Sequence, residues 1–185
     1  MNKLFILILG GVLVLFAGFI IPQVVNRAYR EAEEFDVCPF CSEEVLDAQK
    51  IYEDDSVIAM LTYKPIVEGH VLIIPKRHVE RFEMLSSEEI MKMHEAIKKV
   101  HIVCQKKHSS TGYLLVQKNG REVRQTVPHV HFHYIPRKLE ESTLALYGKF
   151  LLEPFLRPVD MIQLEKQAKQ YRKEFARSGR SLAQI

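Results

Sequence analysis

Three histidines stand at alternate positions in His129-Val130-His131-Phe132-His133. Successive side chains of an extended segment point to opposite faces, so the three imidazoles share one face and Val130, Phe132 and Tyr134 the other. Such a row gives up packing and strand propensity with no structural return, which marks it as a site. Two chemistries can use it. Neutral imidazoles are common transition-metal ligands; alternatively one imidazole is a nucleophile tuned by its neighbours, as in covalent phosphoryl transfer. Asn119-Gly120 and Gln125-Thr126, just upstream, add amide and hydroxyl donors that suit phosphate oxygens and favour the second. Cys38-Pro39-Phe40-Cys41 is a separate C-x2-C knuckle, ambiguous by itself among zinc, redox and disulfide roles. A tetrahedral structural zinc needs four ligands, and two thiolates leave two places for imidazole.

The elements that would position these groups read as an α+β domain. Ile51–Tyr52 and Val57–Leu61 flank the turn-like Glu53-Asp54-Asp55-Ser56 and predict a hairpin. Val71–Pro75 reads as a buried central strand. Ser86 with Glu89 is a capping-box signature, and behind it Ile90, Met93, Ile97, Val100 and Cys104 line one helical face. Tyr113–Gln117 and Val130–Ile135 predict two more strands around a turn at Lys118-Asn119-Gly120-Arg121. The order β-β-β-α-β-β with short connections predicts a mainly antiparallel five-stranded sheet with one long helix. Beyond Arg137, Pro154 and Pro158 interrupt an apolar patch; Met161, Leu164, Ala168, Tyr171 and Phe175 then form a helical stripe that reads as a packing face. Cys104 reads as a buried small hydrophobe, and His94, His101 and His108 as structural or surface residues.

The 185 residues are 47% hydrophobic, with 26 basic against 23 acidic. That excludes a disordered chain, a collagen and a disulfide scaffold, and a net charge of +3 is too small to argue for a nucleic-acid partner. The charge is uneven: residues 37–136 carry thirteen of each sign, while residues 137–185 carry ten basic and six acidic. Leu4–Pro22 has none, and its nineteen residues nearly span a hydrocarbon core of roughly 30 Å. Ala17-Gly18-Phe19 lacks the small-residue pattern of a cleavage site, so the segment reads as an uncleaved transmembrane anchor instead of a signal peptide. Lys3 before it, with Arg27 and Arg30 after it, leans toward a cytoplasmic C-terminal part. The expected organisation is a single-pass anchor at 1–22, a polar linker at 23–36, a domain at 37–137 and a basic helical extension at 138–185.

Two blocks carry a family resemblance. Asn119-Gly120-x4-Gln125-Thr126-Val127-x-His129-Val-His131-Phe-His133-Tyr-Ile135-Pro136-Arg137 resembles the signature of the histidine triad (HIT) superfamily. Lys64-Pro65-x3-Gly69-His70-Val71-Leu72-Ile73-Ile74-Pro75-Lys76-Arg77-His78 matches that family's second block, and the chain is most similar to the fragile-histidine-triad branch. The resemblance implies a HIT-like fold, a homodimer whose sheets join, and cleavage of dinucleoside polyphosphates or related nucleotide conjugates. It implies that His131 attacks the α-phosphate to form a nucleotidyl-histidine, with His133 beside the leaving group. Gln125, Thr126 and Asn119 would hold phosphate oxygens, and Thr62 would stand at the ribose. Zinc-bearing members resemble this chain in the knuckle, which implies Zn2+ held by Cys38, Cys41, His78 and His129. His70 looks like a fold residue of the second block. Two positions depart from the family pattern: Thr62 replaces an acidic or amide residue at the ribose, and Arg124 replaces a glycine. A nucleoside phosphoramidase using the same His131 chemistry, and a nucleotide-binding module with weakened catalysis, are the alternatives.

Overall fold

The computed structural model describes residues 37–182 and, before them, Gln23. A 3-10 turn at Pro39–Cys41 leads into α1 (Glu43–Gln49), the hairpin β1 (Lys50–Glu53) and β2 (Val57–Leu61), and then β3 (Val71–Pro75). The long helix α2 (Ser87–His108) follows, then β4 (Gly112–Gln117) and β5 (Phe132–Arg137). The chain closes with α3 (Thr143–Leu151), a 3-10 turn at Glu153–Phe155 and α4 (Met161–Leu182).

The five strands form one sheet in the order β1-β2-β3-β5-β4, and every neighbouring pair is antiparallel. The hairpin forms because Asp54 Oδ1 accepts from the Ser56 and Val57 amides at 3.0 and 2.9 Å, an Asx-type turn. Every residue of β2 and β3 is buried, as expected of strands covered on both faces. Odd-numbered Val57, Ala59, Leu61, Val71 and Ile73 pack with Met93, Ala96, Val100 and Val103 of α2. Even-numbered Ile58, Met60, Leu72 and Ile74 face the other way, onto Phe40 and Val127. The helix α2 starts at the expected place: Ser86 Oγ accepts from the Glu89 amide at 3.1 Å, and Glu89 returns a carboxylate to the Ser86 amide at 2.8 Å.

The C-terminal stripe lies on the same core as α2. Leu164, Ala168 and Tyr171 are buried in it, and the Phe175 ring stacks on Tyr52 at 5.4 Å. Met161, at the head of the stripe, is exposed and turned elsewhere. Two of the unassigned histidines serve packing: His101 Nδ1 lies 2.8 Å from the Tyr134 hydroxyl, and His108 hydrogen-bonds the Tyr171 hydroxyl. His108 also needs Gly69: that residue has φ +83°, and a Cβ there would stand 2.9 Å from the His108 ring.

The membrane expectation is corrected. The helix expected at 4–22 lies outside the described residues, and among the described residues no helix is long and apolar enough to cross a membrane. The two longest, α2 and α4, carry eight Asp, Glu, Lys or Arg residues each, which a bilayer core does not accept. The single-pass anchoring, the membrane contact through residues 4–22 and the cytoplasmic placement that depended on them are therefore withdrawn.

Candidate active site and metal centre

Four ligand atoms converge beside the C-terminal end of β3. Cys38 and Cys41 come from the first 3-10 turn, His78 from the segment after β3, and His129 from the approach to β5; their ligand atoms all lie within 4.8 Å of one another. Cys38 Sγ stands 3.5 Å from His129 Nδ1, Cys41 Sγ 3.5 Å from His78 Nδ1, and Cys41 Sγ 3.7 Å from His129 Nδ1. A tetrahedral zinc with Zn–S of about 2.3 Å and Zn–N of about 2.0 Å requires S···N edges of about 3.5 Å. His129 Nε2–H donates to the Pro75 carbonyl at 2.9 Å, which leaves Nδ1 as the bare nitrogen facing the thiols. Burial pushes the Cys38 thiol up to about 11, with Cys41 adding to it, so Cys38 keeps its proton until a cation draws it off. The donor set, the spacing and the tautomer all fit zinc.

The other two histidines of the row are placed differently. The ladder begins at Phe132, so His129 and His131 lie in the extended approach and only His133 is paired, opposite Leu72 on β3 and Val116 on β4. Val130 and Tyr134 are buried on the α2 face, as alternation requires. His131 Nδ1–H donates to the His129 carbonyl at 2.7 Å, so its Nε2 lone pair is left available. Burial, with the Lys118 charge contributing, pushes His131 down to about 4, which keeps it neutral near pH 7.

A chain of hydrogen bonds fixes His133. The Ile66 amide donates to His70 Nδ1 at 3.3 Å, so the His70 proton sits on Nε2. That Nε2 lies 2.9 Å from His133 Nδ1, which must therefore accept, and the His133 proton is left on Nε2. His133 Nε2 is buried with no hydrogen-bond partner among the described residues. Burial pushes His70 down to about 3 and holds His133 well below its usual value, so both are neutral. His70 thus acts on the site through His133, a role that its place beside Gly69 in the sequence does not suggest.

His131 and His133 line a cleft of about 330 Å³ whose walls include Phe40, Thr62, Tyr63, Thr126, Glu153 and Met161. Thr62 is at the wall, where the sequence places the ribose contact, and Thr126 joins it. Asn119 and Gln125 are engaged elsewhere. Asn119 accepts from the Phe82 amide at 2.9 Å and donates to Glu83 at 2.7 Å. Gln125 accepts from the Gly120 amide at 2.6 Å and donates to the Glu80 carbonyl at 2.8 Å. Both brace the loop between β4 and β5, and neither lines the cleft. Arg124 has φ +62°, the left-handed region that glycine would occupy without strain.

Glu153 was not expected at the site. It pairs with Lys118, Nζ to Oε2 at 3.4 Å. The ladder pairs Val116 with His133 and Gln117 with Phe132 and ends there, so the next step along each chain leads to Lys118 and to His131. That step was readable in the sequence once β4 and β5 were known to pair. The arrival of Glu153 was not, because it depends on how the last forty residues fold back.

Comparison with known proteins gives a consistent answer. The profile of the HIT domain matches residues 43–140. An uncharacterized HIT-like protein of Methanocaldococcus jannaschii is 35% identical over 135 residues, 72% of this chain and 99% of the relative. An adenosine 5′-monophosphoramidase of Candida albicans is 34% identical over 115 residues, 59% of this chain and 76% of the relative. A bis(5′-adenosyl)-triphosphatase of Dictyostelium discoideum is 31% identical over 119 residues, 63% and 78% of the two chains. The crystal structure of a Hit-like protein from Bartonella henselae superposes with a TM-score of 0.56 at 28% identity, covering 68% of this chain and 85% of that one.

Proposed function

Because this chain belongs to the HIT domain family, whose similar members are nucleotide hydrolases, we propose that it hydrolyses the phosphoanhydride of a dinucleoside polyphosphate or related nucleotide conjugate. His131 Nε2 attacks the α-phosphorus in line; a P–N bond forms as the bond to the leaving oxygen breaks. The nucleotidyl-imidazolium keeps its Nδ1 proton on the His129 carbonyl, which stabilises the positive charge. Water then attacks phosphorus, the P–N bond breaks, the electron pair returns to Nε2, and nucleoside monophosphate leaves as one proton of the attacking water passes to solvent. Thr126 and Thr62 line the cleft as hydroxyl donors for phosphate and ribose oxygens.

The observation that carries this reading is the unpartnered Nε2–H of His133. A neutral imidazole stabilises a departing anion by donating a hydrogen bond, whereas giving up its proton would leave an imidazolate. A polyphosphate departs as an anion and needs only the hydrogen bond. An amine must take a proton as it leaves, which makes a phosphoramidate the less suited substrate. The similarity to a phosphoramidase keeps that second reading in the test.

The Cys38, Cys41, His78 and His129 set would hold one structural Zn2+, pinning the Pro39–Cys41 turn and Phe40 against the cleft. Zinc would supply no chemistry to the reaction beyond that fixing. The edge strand β4, with Tyr113 and Leu115 exposed, supports pairing with a second copy of the chain.

The test is an assay of the full chain with bis(5′-adenosyl) triphosphate, the tetraphosphate and adenosine 5′-phosphoramidate, alongside metal analysis. We expect release of AMP from the anhydrides, one zinc per chain, and a loss of at least about 10³-fold in His131→Asn with zinc retained. Equal turnover in the variant would refute the nucleophile; loss of metal with His131 would point to a metal site on the histidine row instead.

A further inference from the structure

The cleft has a wall that the family-matched residues do not supply. Glu153 stands on the 3-10 turn after α3, beyond residue 140 where the profile ends. That turn is held in place by a small apolar cluster: Leu146, Phe150 and Leu156 pack on Ile66, Ile135 and Leu114. Its position beside β4 and β5 is therefore set by packing and does not depend on a ligand.

From there Glu153 reaches Lys118, and both side chains are largely withdrawn from water, 18% and 15% exposed. Lys118 directly follows Gln117, which ends β4 paired with Phe132, the neighbour of His131, and its charge is among the influences that keep His70, His131 and His133 neutral. An ammonium so placed suits phosphate oxygens beyond the attacked phosphorus. A largely buried ammonium also needs a counter-charge when no phosphate is present, and Glu153 is the carboxylate that the structure puts there.

We propose that Lys118 is the subsite for the charge of the departing polyphosphate, and that Glu153, contributed by the C-terminal segment, competes with substrate for it. This rests on the hydrolase reading above and specifies its leaving group. Glu153 is then a specificity-determining residue: it weakens the grip on polyanions and so narrows the preference of the cleft for anhydrides over phosphoramidates.

Competition and simple packing give different signs. We measure binding of inorganic tripolyphosphate to the full chain by calorimetry, and kcat/KM for bis(5′-adenosyl) triphosphate and adenosine 5′-phosphoramidate. Lys118→Gln is expected to weaken tripolyphosphate binding about tenfold, and Glu153→Gln to strengthen it by a similar factor. On the Lys118→Gln background, Glu153→Gln should change nothing. Glu153→Asp, which keeps the charge and shortens its reach, should fall between wild type and Glu153→Gln. The anhydride-to-phosphoramidate ratio of kcat/KM should move the same way as tripolyphosphate affinity. Weaker or unchanged binding in Glu153→Gln, or an effect that persists without Lys118, overturns the proposal. Absence of turnover on every nucleotide in the wild-type chain would sink the hydrolase reading, while the tripolyphosphate measurements would still decide this one.

Discussion

A neutral imidazole has one proton and two nitrogens, so its chemistry depends on which nitrogen is engaged. At His133 the choice is made two residues away in space. The Ile66 amide takes His70 Nδ1, and His70 Nε2–H takes His133 Nδ1. Removing His70 leaves His133 free to carry its proton on either nitrogen, with part of the population presenting a lone pair to the leaving group. We therefore expect His70→Ala to lower kcat by roughly 10- to 100-fold while KM stays within about threefold. The assay belongs at a temperature where circular dichroism shows the variant folded. A KM rise with kcat preserved would mean that His70 only shapes the cleft wall. His131 is set more locally, by the His129 carbonyl, so the same substitution should leave zinc content and the nucleophile's tautomer unchanged.

Elements decide what these residues can reach. The strand face carrying the histidines and the face packed on α2 alternate along β2, β3 and β5; residue type made that legible on the histidine strand, whereas β2 and β3 are apolar throughout and read only as buried. Also legible were α2, from its capping box, and the buried side of α4, from Leu164, Ala168 and Tyr171 at helical spacing. The helix α1 was not: its seven residues bury Gln49 and only half-bury Val45 and Leu46, too few to set a period. Asn119 and Gln125 read as phosphate donors by type, but their side-chain amides are engaged by Gly120 of their own loop and by Glu80, Phe82 and Glu83 of the segment after β3, a competition that composition does not reveal. Glu153 and Lys118 are 35 residues apart and meet only through tertiary packing. If α4 is part of the domain core, Leu164→Ala should cost about 3 kcal/mol in urea unfolding. Ile162→Ala, on the exposed side of the same helix, should stay within about 0.5 kcal/mol. Equal small effects would mean that α4 is an appendage.

Across the whole molecule, burying neutral histidines links the catalytic design to acid stability. His70, His131 and His133 are each at least nine-tenths buried and titrate well below the ordinary value near 6.5, His70 at about 3 and His131 at about 4. In the unfolded chain all three protonate as pH falls through about 6.5, while the folded protein excludes those protons until pH approaches 4. The unfolded state then binds more protons, so the stability present above pH 6.5 is lost as pH falls. Three groups together give a loss of roughly 4 kcal/mol between pH 7.5 and pH 5.5. Glu83 and Glu89 do not blur that window: Arg81 holds the first, and Arg77 the second, at about 2, so neither titrates within it. Proton competition for the Cys38, Cys41, His78 and His129 ligands would add to the loss wherever metal is bound. Urea unfolding at the two pH values, repeated on a Cys38→Ser, Cys41→Ser variant without its thiolates, separates the two sources. The histidine contribution survives in the variant, where the metal-free His129, also held down to about 4 by burial, joins the other three, and it falls by about one quarter when His70→Ala is added. A pH-independent midpoint in that background would show that the three imidazoles take up protons in the folded state, and the neutral tautomer chain at the cleft would fall with it.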